Sequence, residues 1–256
     1  MRIAVCCKGV PDEIPLESVH ITHGDIHFSD TDFCINELDA YALEAAIALK
    51  KSYGAETVAL TLGPLRALEV LYIALAKGID RVLRIDGETA LPELVASGLT
   101  PCLQELSPDL ILTGVQSEDW MGAEVGIYLS QTLKTSLAFA VMEISELNEK
   151  HVRIKKEIGG GRKAEVRLKL PAVLCVQSGI QPLRYLSAMK TQKVRNTPVK
   201  LGGKLDVKAA MEVMSNKMAY EIREVSLPSR EGYAQMITGD RPEMAMKLIE
   251  IIKKSV

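Results

Sequence analysis

The chain reads as an α/β protein built on a parallel sheet. Over the first two thirds, short runs of apolar and β-branched residues alternate with longer helical patterns. Several of these runs, "IAVCC" (3–7) and "LILT" (110–113) among them, are apolar at nearly every position, as strands covered on both faces are. The helical patterns also carry punctuation: Gly54 closes one, and Pro64 opens and Gly78 closes the next.

In order, "RIAVCCK" (2–8) is a buried strand and "VHITHGDIHF" (19–28) a hairpin turning at His23, Gly24 and Asp25. "NELDAYALEAAIALKKSYG" (36–54) sets Leu38, Ala42, Ala45, Ala46 and Leu49 on one helical face. "ETVALTLG" is a strand, 64–78 a helix, "RVLRID" a strand, 91–106 a helix, "DLILTG" a strand and 121–133 a helix. Right-handed crossovers between such strands give a parallel sheet whose ligands bind at the strands' carboxyl ends. The ends of "AVCCK", "ALTLG" and "ILTG" are thereby nominated. From about residue 138, "LAFAVMEI", "HVRIKKEI", "KAEVRLKL" and "AVLCVQS" follow as strands without helices between them, with "GGGRK" as a turn. After Pro182 the periodicity fades into a basic, turn-rich segment, and "RPEMAMKLIEIIKKS" closes the chain as an amphipathic helix. Its apolar Met244, Leu248, Ile251 and Ile252 suit a partner's surface, since a terminal helix beyond a polar linker has little core left to join.

At 256 residues and 47% hydrophobic content the chain can bury one large core and carry an extension. With 31 basic and 33 acidic residues its net charge is −2, so no global field draws it to nucleic acid or a membrane. Aromatic residues are only 4%, too few for stacking platforms on single-stranded nucleic acid. The five cysteines form no CxxC pair, and Cys6, Cys7 and Cys175 lie in apolar runs, so they read as reduced and buried. No signal peptide and no apolar run of about 18 residues is visible. The expectation is a soluble, cytoplasmic protein.

The stretch "GVQSEDWMGAEVG" (114–126) joins a buried strand to a helix, where glycines admit a ligand and a helix N-terminus favours a phosphate. Its carboxylates Glu118, Asp119 and Glu124 oppose that use, and the pattern alone leaves a nucleotide loop and a plain turn both open. Neither a triad nor a general acid–base pair stands out. His20, His23 and His27 lie across a hairpin without zinc-site spacing, so no metal is expected. The basic segment with Arg184, Lys190, Lys193, Arg195 and Lys200 also holds Leu183, Tyr185, Leu186 and Met189, apolar anchors in a charged rim such as docking surfaces use.

Several stretches resemble one family, the electron transfer flavoprotein beta subunit. "RIAVCCKGVPDE" is similar to its opening strand and K-x-V-P-D turn, "INELDAYALEAAIALK" to its N-P-F-D helix, "TLGP" to its S-x-G-P turn and "ALAKGIDRVLRI" to A-L-A-M-G-A-D-R-A. The most diagnostic match is "KKEIGGGRKAEVRLKLPAVLCVQ", and "PLRY" and "KVRNTPV" extend the likeness toward the carboxyl end. The resemblance implies an adenine-nucleotide alpha-hydrolase-like parallel sheet over 1–180 with added antiparallel strands. Residues 181–256 would form an arm and C-terminal helix docking on an alpha subunit. It further implies an FAD shared with that subunit and AMP or a second FAD in this chain's own site, the latter in electron-bifurcating members. The partners implied are a dehydrogenase, often of acyl-CoA dehydrogenase type, and an acceptor such as a quinone oxidoreductase or ferredoxin. Such a subunit is an electron carrier rather than an enzyme with catalytic residues.

Carried over residue by residue, the nucleotide site comprises Cys6, Asn36, Leu38, Leu62, Gly63, Gln116, Ser117, Asp119, Gly122, Ala123, Glu124, Val125 and Gly126, with Leu38, Asp12 and Glu13 toward the flavin. Where the family has threonine, glutamine and a second acidic residue, this chain has Gly122, Glu124 and Met121. A carboxylate cannot donate to a phosphate, and two unit charges ~4 Å apart repel by several kcal/mol at an effective dielectric of ~20. Either the phosphates sit elsewhere, a cation intervenes, or Glu124 turns to an arginine. Trp120, where glycine or aspartate is usual, can cap the pocket, touch a partner or cover a local apolar patch. Tyr185, Leu186, Ala188 and Met189 fall where the family's dehydrogenase anchor lies, and the departure from leucine implies a differently shaped socket. Two other readings remain: a stand-alone nucleotide-binding protein, which would tend to carry an S-G-G-x-D-S loop absent here, and a scaffold subunit whose nucleotide site has decayed.

Overall fold

The computed structural model describes residues 1–12, 19–22, 25–28, 33–214 and 236–255, with positions 224, 226, 227 and 234. Met1–His20 with His27–Glu221 form one unit, and Ile21–Ile26 with Ile222–Val256 a second.

The first unit is organised by a nine-stranded sheet. Its strands are β1 (Arg2–Cys6), β6 (Glu56–Leu62), β7 (Arg81–Asp86), β8 (Leu110–Gly114), β9 (Ser136–Leu147), β10 (His151–Glu157), β11 (Lys163–Lys169), β12 (Ala172–Val176) and β13 (Lys200–Lys204). Across the sheet they run β11-β10-β9-β12-β8-β1-β6-β7-β13. Pairing is parallel from β9 through β13, and only the β9–β10–β11 meander is antiparallel. The α/β fold class expected from the alternation is the one observed. Two further pairs, β2 (Gly9–Pro11) with β5 (Phe33–Ile35) and β3 (Val19–Thr22) with β4 (Asp25–Phe28), stand apart. The second reproduces the expected hairpin, whose His23 and Gly24 lie outside the described residues.

The period-2 alternation of β1 explains the layers. Ile3, Val5 and Cys7 pack toward α1 (Glu37–Tyr53) and α2 (Leu68–Lys77), while Ala4 and Cys6 pack toward α3 (Pro92–Leu106) and α4 (Val125–Leu133). Because both faces are covered, the central strands are apolar throughout, and Ile3, Leu110, Ile111 and Leu112 are fully buried. Gly54 and Gly78 end α1 and α2 in the left-handed conformation expected of such glycines.

Several elements depart from the sequence reading. Residues 65–67 form a 3-10 turn, so α2 begins at Leu68. The last of the four late strands, β12, leaves the meander and inserts between β8 and β9, filling the gap at the sheet's centre. The turn-rich stretch after Pro182 contains α5 (Ala188–Val194), the edge strand β13 and α6 (Val207–Met214). In the second unit, α7 (Arg241–Ser255) exposes Met246, Leu248, Ile249, Ile251 and Ile252.

Candidate functional site

From β1 the chain turns outward to β6 and β7, then returns to lay β8 on β1's other side. Strand order therefore reverses between β1 and β8, and the crevice beyond their carboxyl ends is the natural ligand site of such a sheet. The β2–β5 pair returns the chain to this place, and the Asn36 amide donates to the Lys8 carbonyl at 2.9 Å. The first turn of α1 is thus delivered against the ends of both strands.

Asp39 occupies the join. One carboxylate oxygen accepts the Lys8 amide and the other the Gly114 amide, each at 2.8 Å. A side chain at Gly114 could not be housed: a Cβ there would lie 2.7 Å from both Asp39 Oδ1 and Leu38 Cβ. Burial pushes Asp39 up to about 6 despite those two amides, Asn36 and the nearby Lys8 ammonium. Cys6 and Cys7 are pushed up as well, by burial and then by the Asp39 carboxylate, so both stay neutral thiols and offer no nucleophile.

The loop after β8 is fastened from the same two elements. Asn36, 1% exposed, donates from Nδ2 to the Gln116 carbonyl at 2.9 Å and accepts the Glu118 amide at 3.1 Å. Lys8 Nζ pairs with Asp119 at 2.6 Å and reaches Ser117 Oγ at 3.4 Å. Asp119 also accepts the Trp120 amide, so this carboxylate shapes the loop. Beyond it, Met121 and Ala123 take left-handed φ values of 51° and 57°. Residues held there without being glycine are strained, and such strain gathers at ligand sites. It also explains why α4 begins at Val125, four residues later than its pattern predicts.

The remaining candidate residues divide. Glu124 is the N-cap of α4, and its side chain makes no cap bond. Among the described residues no arginine or lysine pairs with it; it and Glu93, after burial, raise the Tyr128 hydroxyl. Val125 and Ala123 are half-buried and Gly122 is exposed on the rim. Gly126 is buried for packing, since a Cβ there would strike Cys175 Sγ and approach Thr113 Oγ1. Leu62 and Gly63 are not joined to the loop: Leu62 packs toward Gly98, the Gly63 amide donates to Ile85, and Arg84 donates to the Gly63 carbonyl. Asp12 is exposed, and Glu13 lies outside the described residues. Trp120 is 40% exposed beside the still more exposed Met121. No group of three or more potential metal-ligating side chains forms among the described residues, and none of their helices is long and apolar enough to cross a membrane.

Lys8 and Asp39 were missed by motif reading, although both left a signal. Lys8 is a cation directly after the apolar run 3–7. Asp39 is a carboxylate sharing the helical face of Ala42, Leu43 and Ala46, where a charge needs a buried partner.

The arm forms a second feature. Arg184 pairs with the buried Glu44 at 2.5 Å and donates to the Lys77 carbonyl, while Lys77 Nζ reaches Glu44 at 2.6 Å. Arg195 pairs with Glu69 at the other end of α2, so α5 lies antiparallel along α2. Tyr185 and Met189 are left 90% and 76% exposed, Ala188 is exposed, and Leu186 is half-buried.

Comparison with known proteins identifies the family. The profile of the electron transfer flavoprotein domain matches residues 25–240. The electron transfer flavoprotein subunit beta of Methylophilus methylotrophus is 32% identical over 237 residues, covering 88% of this chain and 89% of that protein.

Proposed function

Because this chain belongs to the electron transfer flavoprotein family as a beta subunit, we propose that it pairs with an alpha-type subunit and relays electrons from a dehydrogenase to an acceptor through FAD. The observation that carries this reading is the switch-point crevice in which Lys8, Asn36 and Asp39 fix the 115–119 loop. The partner subunit would hold most of the FAD, and this chain's crevice an AMP or a second FAD. Electron carriage would be the flavin's own chemistry; the chain's groups supply position, exclusion of water and electrostatics.

The residues suit an adenine nucleotide at this edge. Lys8 keeps about a third of its side chain exposed while paired with Asp119, leaving it able to meet a phosphate. Asn36 and the loop backbone wall the crevice, with Ser117, Gln116 and the rim of Gly122 and Ala123 nearest to it in sequence. Glu124 disfavours a phosphate on the first amides of α4 unless a cation sits between, so the nucleotide's anionic end belongs nearer Lys8. Tyr185, Ala188 and Met189 would engage the dehydrogenase, and α7 the alpha subunit. We place the complex in the cytoplasm.

Co-expression with an alpha-type subunit tests this directly. A yellow heterodimer is expected, and a colourless one would contradict the proposal. Nucleotides extracted from it separate the forms: one FAD with AMP marks the ordinary carrier, two FAD the bifurcating one. One FAD alone supports a scaffold with a decayed site, the second reading that Glu124 favours.

A further inference from the structure

The crevice is built around a buried carboxylate to which the motif reading gave no role. Asp39 is 7% exposed and touches the ends of the two strands that flank the switch point. We infer that Asp39 is a positioning residue for nucleotide binding: by accepting the Lys8 and Gly114 amides together, it sets the separation of the β1 and β8 ends and thereby the seat of the 115–119 loop. This rests on the nucleotide-site reading above.

The geometry gives the mechanism. Lys8 is held by Asp39 through its amide while its ammonium holds Asp119. Asn36, three residues before Asp39, holds Gln116 and Glu118. The first turn of α1 therefore governs both ties on the loop, and Asp39, together with the Asn36 amide on the Lys8 carbonyl, fixes that turn to the strands. A carboxylate has acceptor sites for both amides, whereas a protonated carboxyl turns one oxygen into a donor and must release or weaken one of them. Asparagine at this position presents the same conflict at every pH.

The groups facing Asp39 are Cys6, Cys7 and Lys8 from β1 and its tail, Asn36 from its own turn and, through Lys8, Asp119 from the loop. Both thiols are raised by burial and stay neutral in acid. Asp39, raised to about 6 by burial, changes charge just below neutral pH. The linked prediction is a loss of nucleotide retention as pH falls through about 6.

The test uses the heterodimer with AMP as probe, measuring AMP affinity and release from mildly acidic to mildly alkaline pH. Wild type is expected to release AMP roughly tenfold faster on the acid side of the transition, a 1.4 kcal/mol effect. Asp39→Asn should bind at least about tenfold more weakly at neutral pH, with the acid-dependent step much reduced. A phosphate monoester also titrates near 6, and a pH step unchanged in Asp39→Asn would assign the effect to AMP itself and overturn the inference. Equal AMP affinity in the two proteins would overturn it too. A wild-type complex that binds no adenine nucleotide at any pH would overturn the site reading and this inference together. Should Asp39→Asn fail to assemble, hydrogen exchange in wild type decides. Peptides containing the Lys8 and Gly114 amides should lose protection on the acid side after correction for intrinsic exchange, and equal protection would sink the inference.

Discussion

Glu44 is a carboxylate in the middle of a helix that is otherwise buried among alanine and leucine. Burial pushes its carboxyl up, but the bonds and charges of Lys77 and Arg184 outweigh that and hold it below its ordinary value. Its contribution to stability is therefore present above the unfolded carboxylate range and lost as pH falls through the folded value. Glu44→Gln leaves Lys77, only 9% exposed at its side chain, without a counter-charge. Unfolding in urea at neutral pH is expected to show a loss of about 3 kcal/mol, and an unchanged midpoint would contradict the ion-pair account. Asp39 has the opposite sign. Its folded value is raised from 3.8 to about 6, so its contribution is fully present below the lower value and lost as pH rises through the upper one. Asp39→Asn should flatten that falling limb when stability is followed across the same window.

At the scale of elements, α4 illustrates how one position serves packing and another geometry. Gly126 lets the helix lie against Cys175 and Thr113, and Gly126→Ala should lower stability by about 2 kcal/mol by forcing α4 off the sheet. Ala123 takes a left-handed φ of 57° just before the helix. Ala123→Gly should be neutral or stabilising by up to about 1 kcal/mol, whereas Ala46→Gly, within α1, should cost about 1 kcal/mol or more. Thermal unfolding of the three variants orders them. Helix ends were the most legible feature, because Gly54 and Gly78 mark C-termini by a backbone conformation that glycine adopts without a steric penalty. The start of α4 was less legible, since its hydrophobic period continues into Met121 and Ala123 while their φ values forbid the helix.

For the whole molecule, the arm is more firmly attached than its composition suggests. A basic, turn-rich sequence reads as an extension, yet Arg184 and Arg195 pin it along α2 and β13 pairs with β7 at the sheet edge. Pinning lowers the conformational entropy that a docking surface must lose on binding, and leaves Tyr185 and Met189 presented outward. In the second unit, α7 exposes five large apolar side chains, as a helix awaiting a partner does. Deleting residues 241–255 should leave the thermal unfolding of the sheet-bearing unit nearly unchanged and abolish co-purification with the alpha subunit. Retained co-purification would show that the subunit docks elsewhere.

By itself the sequence determined the alternation of strands and helices, the double-sided burial of the central strands and the family motifs, because these depend on local periodicity and on residue types a few positions apart. Only the tertiary structure decided where β12 inserts, where α5 rests and which polar groups meet at the switch point. Lys8, Asp39, Gly114 and Asp119 are separated by up to 111 residues in their pairings, and contacts of that separation are set by strand order, which no local pattern encodes. The carboxylate at position 39 was visible from the start as a charge on an apolar helical face, but its two amide partners exist only once β1 and β8 lie side by side.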